Sequence, residues 1–575
     1  MKNSGQTFMK GALILAIANF IVKIIGAVFK IPLYELIGKE GSGLFNVAYQ
    51  IYTFMFIIAT AGFPTAVSKM VAESIARGDE RESKKILEAA SILLGTIGVI
   101  GSLLLYVFAD ELASMLGNRD AAFCIKVIAP TIFFTSLVSA YRGYFQGRQN
   151  MYPTAASEVI EAVSKLAVGI VFAMFFMNMA VDKNLGKMVD FGAKLVRSTA
   201  DKTILASSGA ILGVTSGAIM SLVLMLIVYK VGKKRNKISV IETSCVRTRR
   251  SILKELISIA IPITIGAAVS SLTSLVDLAT VMNRLVINPD VFDKYGYLFE
   301  EGTEFFSQAK ELGWNTAQIL EKKANTLYGM YTGQAQTMFN LPLTIIVALS
   351  MSAVPAISSA IAGKEDNEAK SLTKSLIKIT VLFAMPCVVG LATLSEGILG
   401  LLYSDADAFM LLEKLAIAII FVSVVQVTNA VLQAYGKVYY PVFSMIAGGI
   451  AKVVMNYTFI PIIGIDGAPI ATIVCYAIIA VINIVCIIKV VKIKFNIMEL
   501  VIKPLFSALL MGGVLWVLKN YLGIGTISTV FAIGVGAVIY VISAFAVRAI
   551  GKEDILILPK GEKLASLLEK FRLIG

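Results

Sequence analysis

The chain has 575 residues, 57% of them hydrophobic and only 16% charged, with a mean hydropathy of +0.80. That composition excludes a soluble globular domain and points to an all-α polytopic membrane protein. The formal charge of +14 falls in short loops between apolar segments, so the positive-inside distribution explains it and no nucleic-acid partner is implied.

The polar stretch Met1–Lys10 precedes a first apolar run over about 11–37. The run is too long for a signal-peptide core and has no clear cleavage site, so it reads as a retained first helix. It contains Lys23 and Lys30, seven residues apart, with Asn19 one turn before Lys23. Seven residues is close to two turns, which puts both ammonium groups near one face. A lysine at the centre of a membrane helix costs roughly 2.5–3.5 kcal/mol. Lys30 could snorkel towards an interface, but Lys23 is near mid-helix. The pair therefore suggests a helix lining a wet, cationic cavity suited to an anionic substrate.

Further runs follow near 44–71, 87–109 and 121–141. Arg142 and Arg148 flank the end of the fourth, where they could steer an anionic headgroup; the positive-inside rule also accounts for them. The fifth run, 154–180, carries Glu158, Glu161 and Lys165 on one face. Glu161 and Lys165 can pair within the helix, or the three can form a switchable charge network. The sixth, 204–229, has Gly209, Gly213 and Gly217 in a close-packing stripe. The seventh, 252–282, holds Asp277, a buried carboxylate able to take a coupling ion or to pair with Arg284 or Lys452. After the 283–325 segment, which reads as an external helix or a solvated connector, come 326–361, 375–396, 410–434, 439–461, 467–488, 504–520 and 525–547. Lys452, with Asn456 a turn later, lies in the eleventh. The total is about fourteen helices.

Arginine and lysine concentrate in alternate loops, most heavily between Lys230 and Arg250. This places both termini on the cytoplasmic side of a bacterial membrane. The five cysteines form no CxxC pair, so neither a disulfide framework nor a metal site is expected. Histidine is absent, which removes the usual general base and argues against hydrolytic chemistry while leaving carboxylate-based proton coupling open. Asp405-Ala406-Asp407 has the DxD form of nucleotide-sugar enzymes, but it falls in an external loop. No catalytic residue or resident cofactor is expected.

The halves echo each other. Phe63-Pro64-Thr65-Ala66-Val67-Ser68 returns as Val354-Pro355-Ala356-Ile357-Ser358. Gly147-Arg148, Tyr152-Pro153 and Lys165 return as Gly436-Lys437, Tyr440-Pro441 and Lys452. Six helices separate the copies, so the repeat is parallel. The expected organisation is an N-terminal lobe (1–230), a basic cytoplasmic linker (231–251), a C-terminal lobe (252–490) and a last pair of helices with a tail (491–575), with a cavity between the lobes.

Three stretches, Lys23–Lys30, Gly38–Phe45 and Gly62–Lys69, together with Asn340-Leu341-Pro342 and Val354–Ser358, resemble the multidrug/oligosaccharidyl-lipid/polysaccharide exporter superfamily. Within it the chain looks like the branch of stage V sporulation protein B and the MurJ-type lipid II flippases. The resemblance spans essentially the full length. It implies a flippase that moves an undecaprenyl-pyrophosphate-linked saccharide, lipid II above all, to the outer leaflet by alternating access. It implies membrane lipids as surroundings and cell-wall synthesis enzymes as partners. It also implies that Lys23, and approximately Lys30, meet the pyrophosphate. From the residues themselves, Asn19, Lys165, Lys452 and Arg142 complete the candidate substrate set. Asp277, Glu158 and Glu161 are the candidates for gating or for coupling to H+, Na+ or the membrane potential. A cation-coupled multidrug antiporter of the same superfamily is the alternative; such proteins tend to present acids and aromatics, whereas here helices one and eleven carry lysines. A membrane glycosyltransferase would need placed carboxylates and a larger external loop.

Overall fold

The structure, a computed structural model, describes residues 2–179, 199–235, 247–363 and 365–549. Most of the expected 181–203 loop, the middle of the 231–251 linker and the C-terminal tail lie outside the described residues. Among the described residues there is no strand, and each expected apolar run falls on helical backbone. By length and apolar composition eight helices among the described residues qualify as membrane spans, or nine if Phe409–Ala416 and Ala418–Ala434, bent by 45°, form one. This supports the expected fourteen only roughly. Part of the shortfall is that the Tyr439–Val491 stretch, interrupted at Gly464 (φ 67°), holds two runs and counts once. Lys2–Thr60, which also holds two runs, is broken at Gly38 (φ 68°, ψ −172°) and is not among the eight.

The chain forms two compact units, Met1–Gly329 and Met330–Gly575. The sequence echo and the packing divide the chain at different points. The helix Arg249–Leu285 lies beyond the basic linker, yet it packs on Lys2–Thr60, Phe63–Ala76 and Glu80–Val107 and so belongs to the first unit.

In the first unit the tightest pair is Tyr152–Met177 with Thr199–Arg235. The stripe read as Gly209, Gly213 and Gly217 is the reason. A methyl group on Gly213 would stand 2.5 Å from the Gly169 Cα and 2.7 Å from the Lys165 carbonyl oxygen, so the two backbones touch. A second glycine seam explains the Phe63–Ser68 motif. Gly143 and Gly147 of Thr131–Gly147 sit against the carbonyls of Pro64 and Ser68, where a Cβ would come within 2.7 and 2.6 Å. Around this seam Met70, Ile86, Leu94 and Leu256 are fully buried. At the expected cytoplasmic end Asp79 accepts from the Glu82 amide at 2.8 Å and caps Glu80–Val107. Arg77 and Arg247 both pair with the buried Glu82, and Arg247 also pairs with Glu255. The linker's last residues are therefore tied to this end.

The second unit opens on a π-helical turn, Tyr331–Ala335, leading into Gln336–Ala362. Gln334 within that turn donates to the Asp405 carbonyl (3.1 Å) and carboxylate (2.8 Å) and accepts from the Ala408 amide (3.2 Å). The DxD-like segment thus staples a loop and serves the fold. Where helices Ala418–Ala434, Tyr439–Ile463 and Gly467–Val491 meet, the buried Asn483 donates to Thr428 (3.1 Å) and Asn429 (2.8 Å) and accepts from Ser444 (2.7 Å). This network is neutral and internally satisfied, as a buried polar group requires. The final pair, Lys503–Leu522 and Thr526–Ala546, packs on Asp366–Thr393, where the Tyr540 hydroxyl donates to the Leu382 carbonyl at 2.7 Å.

Candidate functional site

The candidate residues of the first unit other than Asp277 lie on the first helix, Thr131–Gly147 and Tyr152–Met177. On the first helix Lys23 is exposed, and Asn19 and Lys30 are half-buried. Among the described residues no carboxylate pairs with Lys23 or Lys30. The charged neighbour of Lys30 is another lysine, Lys165, whose field it feels.

Lys165 does not form the expected helix pair with Glu161. Its ammonium group stands over the Tyr49 ring at 4.0 Å and near the Phe29 ring at 5.2 Å. Glu161 is taken instead by Arg142, at 2.8 Å. The correction has a physical reason. The Arg142 fork reaches Ser157 (2.9 Å, through Nε), Glu161 and Ser221 (3.3 Å) together, which a lysine point charge cannot match. A ring face stabilises a cation by about 0.5–2 kcal/mol without neutralising it. Lys165 is therefore held in place with its charge intact, while Arg142 is held with its charge offset. Arg148 is likewise offset, by Glu80 at 2.9 Å. The guanidinium groups expected to steer an anion are bound internally, and the lysines are the cations left unneutralised here.

Tyr49 belongs to an aromatic row, Phe45, Tyr49, Tyr52 and Phe56, with successive centroids 5.6, 6.0 and 5.9 Å apart. Sequence reasoning passed over this row, although its spacing of four, three and four residues is a helical stripe. Glu158 neighbours Arg142 and Glu161, and its Oε2 is buried without a hydrogen-bond partner among the described residues. Asp277, on Arg249–Leu285, is buried at 4% exposure. In the second unit Lys452 is 3% exposed on Tyr439–Ile463, with Asn456 fully buried a turn later.

The 283–325 segment is folded: a 3-10 turn (Pro289–Leu298), a helix (Glu304–Leu312) capped by Thr303 and Gly313, and the start of Thr316–Met330. Lys322 on it pairs with Glu40 and, at 2.7 Å, with Asp120. Burial opposes its charge, but the two carboxylates prevail and hold it above the ordinary lysine value of 10.5. Sequence gave no hint of this site, because its members come from three distant stretches.

This fold recurs in known transporters. A solved structure described as "Lipid II flippase MurJ, inward closed conformation" is similar, with a TM-score of 0.63, 15% identity and coverage of 92% of this chain and 98% of that one. An inward-facing multidrug resistance MATE family transporter of the MOP superfamily is similar at 0.58, with 13% identity, covering 84% and 100%. The architecture is thus that of a multi-pass membrane protein. Residues 8–189 match the polysaccharide biosynthesis protein family and residues 322–536 the family of the lipid II flippase MurJ. Stage V sporulation protein B of Bacillus subtilis (strain 168) is 25% identical over 561 residues, 96% of this chain and 98% of that protein. Through these matches the chain is similar, over nearly its full length, to the branch of the multidrug/oligosaccharidyl-lipid/polysaccharide exporter superfamily that contains stage V sporulation protein B and MurJ.

Proposed function

We propose that the protein is a flippase for a polyprenyl-pyrophosphate-linked glycan, lipid II in the first instance, carrying it from the inner to the outer leaflet with both termini cytoplasmic. The observation that carries this reading is the set Lys23, Lys30 and Lys165, cations with no paired carboxylate among the described residues. Two ammonium groups left side by side repel each other. At 4 Å and an effective dielectric near 20 a pair of unit charges is worth about 4 kcal/mol, so an anion bridging them converts a penalty into a binding term of that order. A pyrophosphate supplies about two charges and accepts from both amines. The sugar can travel in the wet site while the polyprenyl tail stays in lipid. Glu158, Glu161 and Asp277 are the carboxylates through which protons, sodium or the membrane potential would drive the cycle.

The test is flipping of fluorescent lipid II in proteoliposomes, read by accessibility to an external quencher, for wild type beside Lys23→Ala, Lys30→Ala and Lys165→Ala. Wild-type flipping that falls about a hundredfold in each variant, two broken contacts' worth at 1.4 kcal/mol per decade, supports the reading. Folded wild type that moves no lipid II, while moving another polyprenyl-linked glycan, keeps the flippase and changes the glycan. Retained flipping in all three variants removes the cationic site.

A further inference from the structure

The break at Gly38 divides the first helix into a segment carrying Lys23 and Lys30, whose apolar residues Phe29, Leu33, Tyr34 and Ile37 are buried, and a segment beginning at Lys39, which is held in addition by ion pairs and backbone packing. On the near side a methyl group on Gly38 would meet nothing within 4 Å. On the far side the backbone is gripped by the 316–329 stretch. A methyl group on Gly329 would lie 1.8 Å from the Lys39 carbonyl oxygen, and one on Gly43 would lie 2.2 Å from Asn325 Oδ1. Asn325 donates to the Glu40 carbonyl at 3.1 Å and accepts from Asn118 at 2.7 Å, both amides being 2% exposed. Lys322, at 12% side-chain exposure, joins Glu40 to Asp120, and Glu321 accepts from the Arg119 amide at 2.7 Å. Trp314 lies under the Lys322 ammonium at 5.1 Å and stacks edgewise on Phe305, which braces the clamp from the 283–325 side.

We propose that Lys322 is a positioning residue for transport: by joining Glu40 to Asp120 it immobilises the Lys39–Gly43 side of the Gly38 break, so that the segment bearing Lys23 and Lys30 pivots at Gly38 on a fixed base. This rests on the flippase reading for the role of those lysines, but not for the clamp itself. The dihedrals of Gly38, positive φ with ψ near 180°, belong to a region that glycine enters and other residues avoid. A pivot needs such a residue, and it needs one leaf held. The clamp supplies the second requirement with two ion pairs, an amide relay and glycine-to-backbone packing on one short stretch.

The test uses the full-length chain in lipid, with its five native cysteines replaced and flipping retained. Spin labels at Val28→Cys, on the moving segment, and Val171→Cys, on Tyr152–Met177, report a distance distribution. K322Q is expected to shift or at least to double the width of that distribution and to slow flipping about tenfold, with insertion kept and a cooperative, if lower, thermal transition showing that it folds. K322R, which keeps the charge, is expected to restore both. E40Q and D120N each remove one arm and are expected to give smaller changes of the same kind; they carry the test if K322Q does not fold. An unchanged distribution in folded K322Q overturns the proposal, as does lost flipping with an unchanged distribution. A distribution that responds as expected in a protein whose wild type flips no lipid II upholds the clamp and removes the substrate reading.

Discussion

At the scale of single residues the site separates cations that are neutralised from cations that are not, and the separation follows partner chemistry. Arg142 is 16% exposed and Glu161 30%, so the pair is half-screened rather than fully buried. Arg142→Ala would strand Glu161 and is expected to cost about 2–4 kcal/mol, less than breaking a fully buried pair. Chemical denaturation in detergent would measure it, and Arg142→Ala/Glu161→Gln should recover part of the loss. Lys322 gives a pH expectation with a definite sign. Its folded value is raised, so its stabilising contribution is complete below the ordinary lysine value of 10.5 and fades only as pH climbs through the higher folded one. The melting difference between wild type and K322Q should accordingly stay flat from about pH 7 to pH 9. A difference that shrinks across that window would contradict the ion-pair account. Lys23, Lys30, Glu158 and Glu161 were legible as charges in apolar runs, since insertion cost makes each one conspicuous. Their partners were not legible. The four-residue spacing that pointed to Glu161–Lys165 is a local rule, and it lost to a guanidinium on another helix that could satisfy three acceptors at once.

At the scale of elements, glycine seams set which helices can touch. Gly213→Ala would drive a methyl group to 2.5 Å from the Gly169 Cα, and the overpacking is expected to cost about 1–3 kcal/mol. Gly449→Ala, also in a helix interior, meets nothing within 4 Å and is expected to be neutral or to stabilise by up to about 1 kcal/mol through the unfolded chain. Thermal melts of the two variants side by side check the contrast; equal losses would mean that the seam is not a tight contact. The small-residue stripe on 204–229 was readable because its four-residue period is a surface property of one helix. The counterpart of the Phe63–Ser68 motif was not. Gly143 and Gly147 look unremarkable until the fold lays them against Pro64 and Ser68. The 283–325 segment could be read as helical but not as anchored, since Glu40, Asp120 and Asn118 lie hundreds of residues away along the chain.

For the whole molecule the apolar pattern carried the class and the helices, because a bilayer imposes length and hydropathy on every span. It could not say that Arg249–Leu285 packs with the first unit, since packing partners leave no periodic trace. The proposed orientation has its own check. Cys245 is the cysteine of the basic linker, and a membrane-impermeant maleimide should label it in inverted vesicles and not in intact cells stripped of wall. Labelling from the outside would reverse the topology. The backbone-to-backbone seam of Gly169 and Gly213 has one more consequence. Two helices that meet without a layer of side chains have no bearing surface, and sliding one past the other by a turn would drive Phe172 or Lys165 into the space the glycines keep empty. Tyr152–Met177 and Thr199–Arg235 must travel as a single strut. Lys165 rides on that strut, so any displacement of the lysine is shared by the whole of Thr199–Arg235.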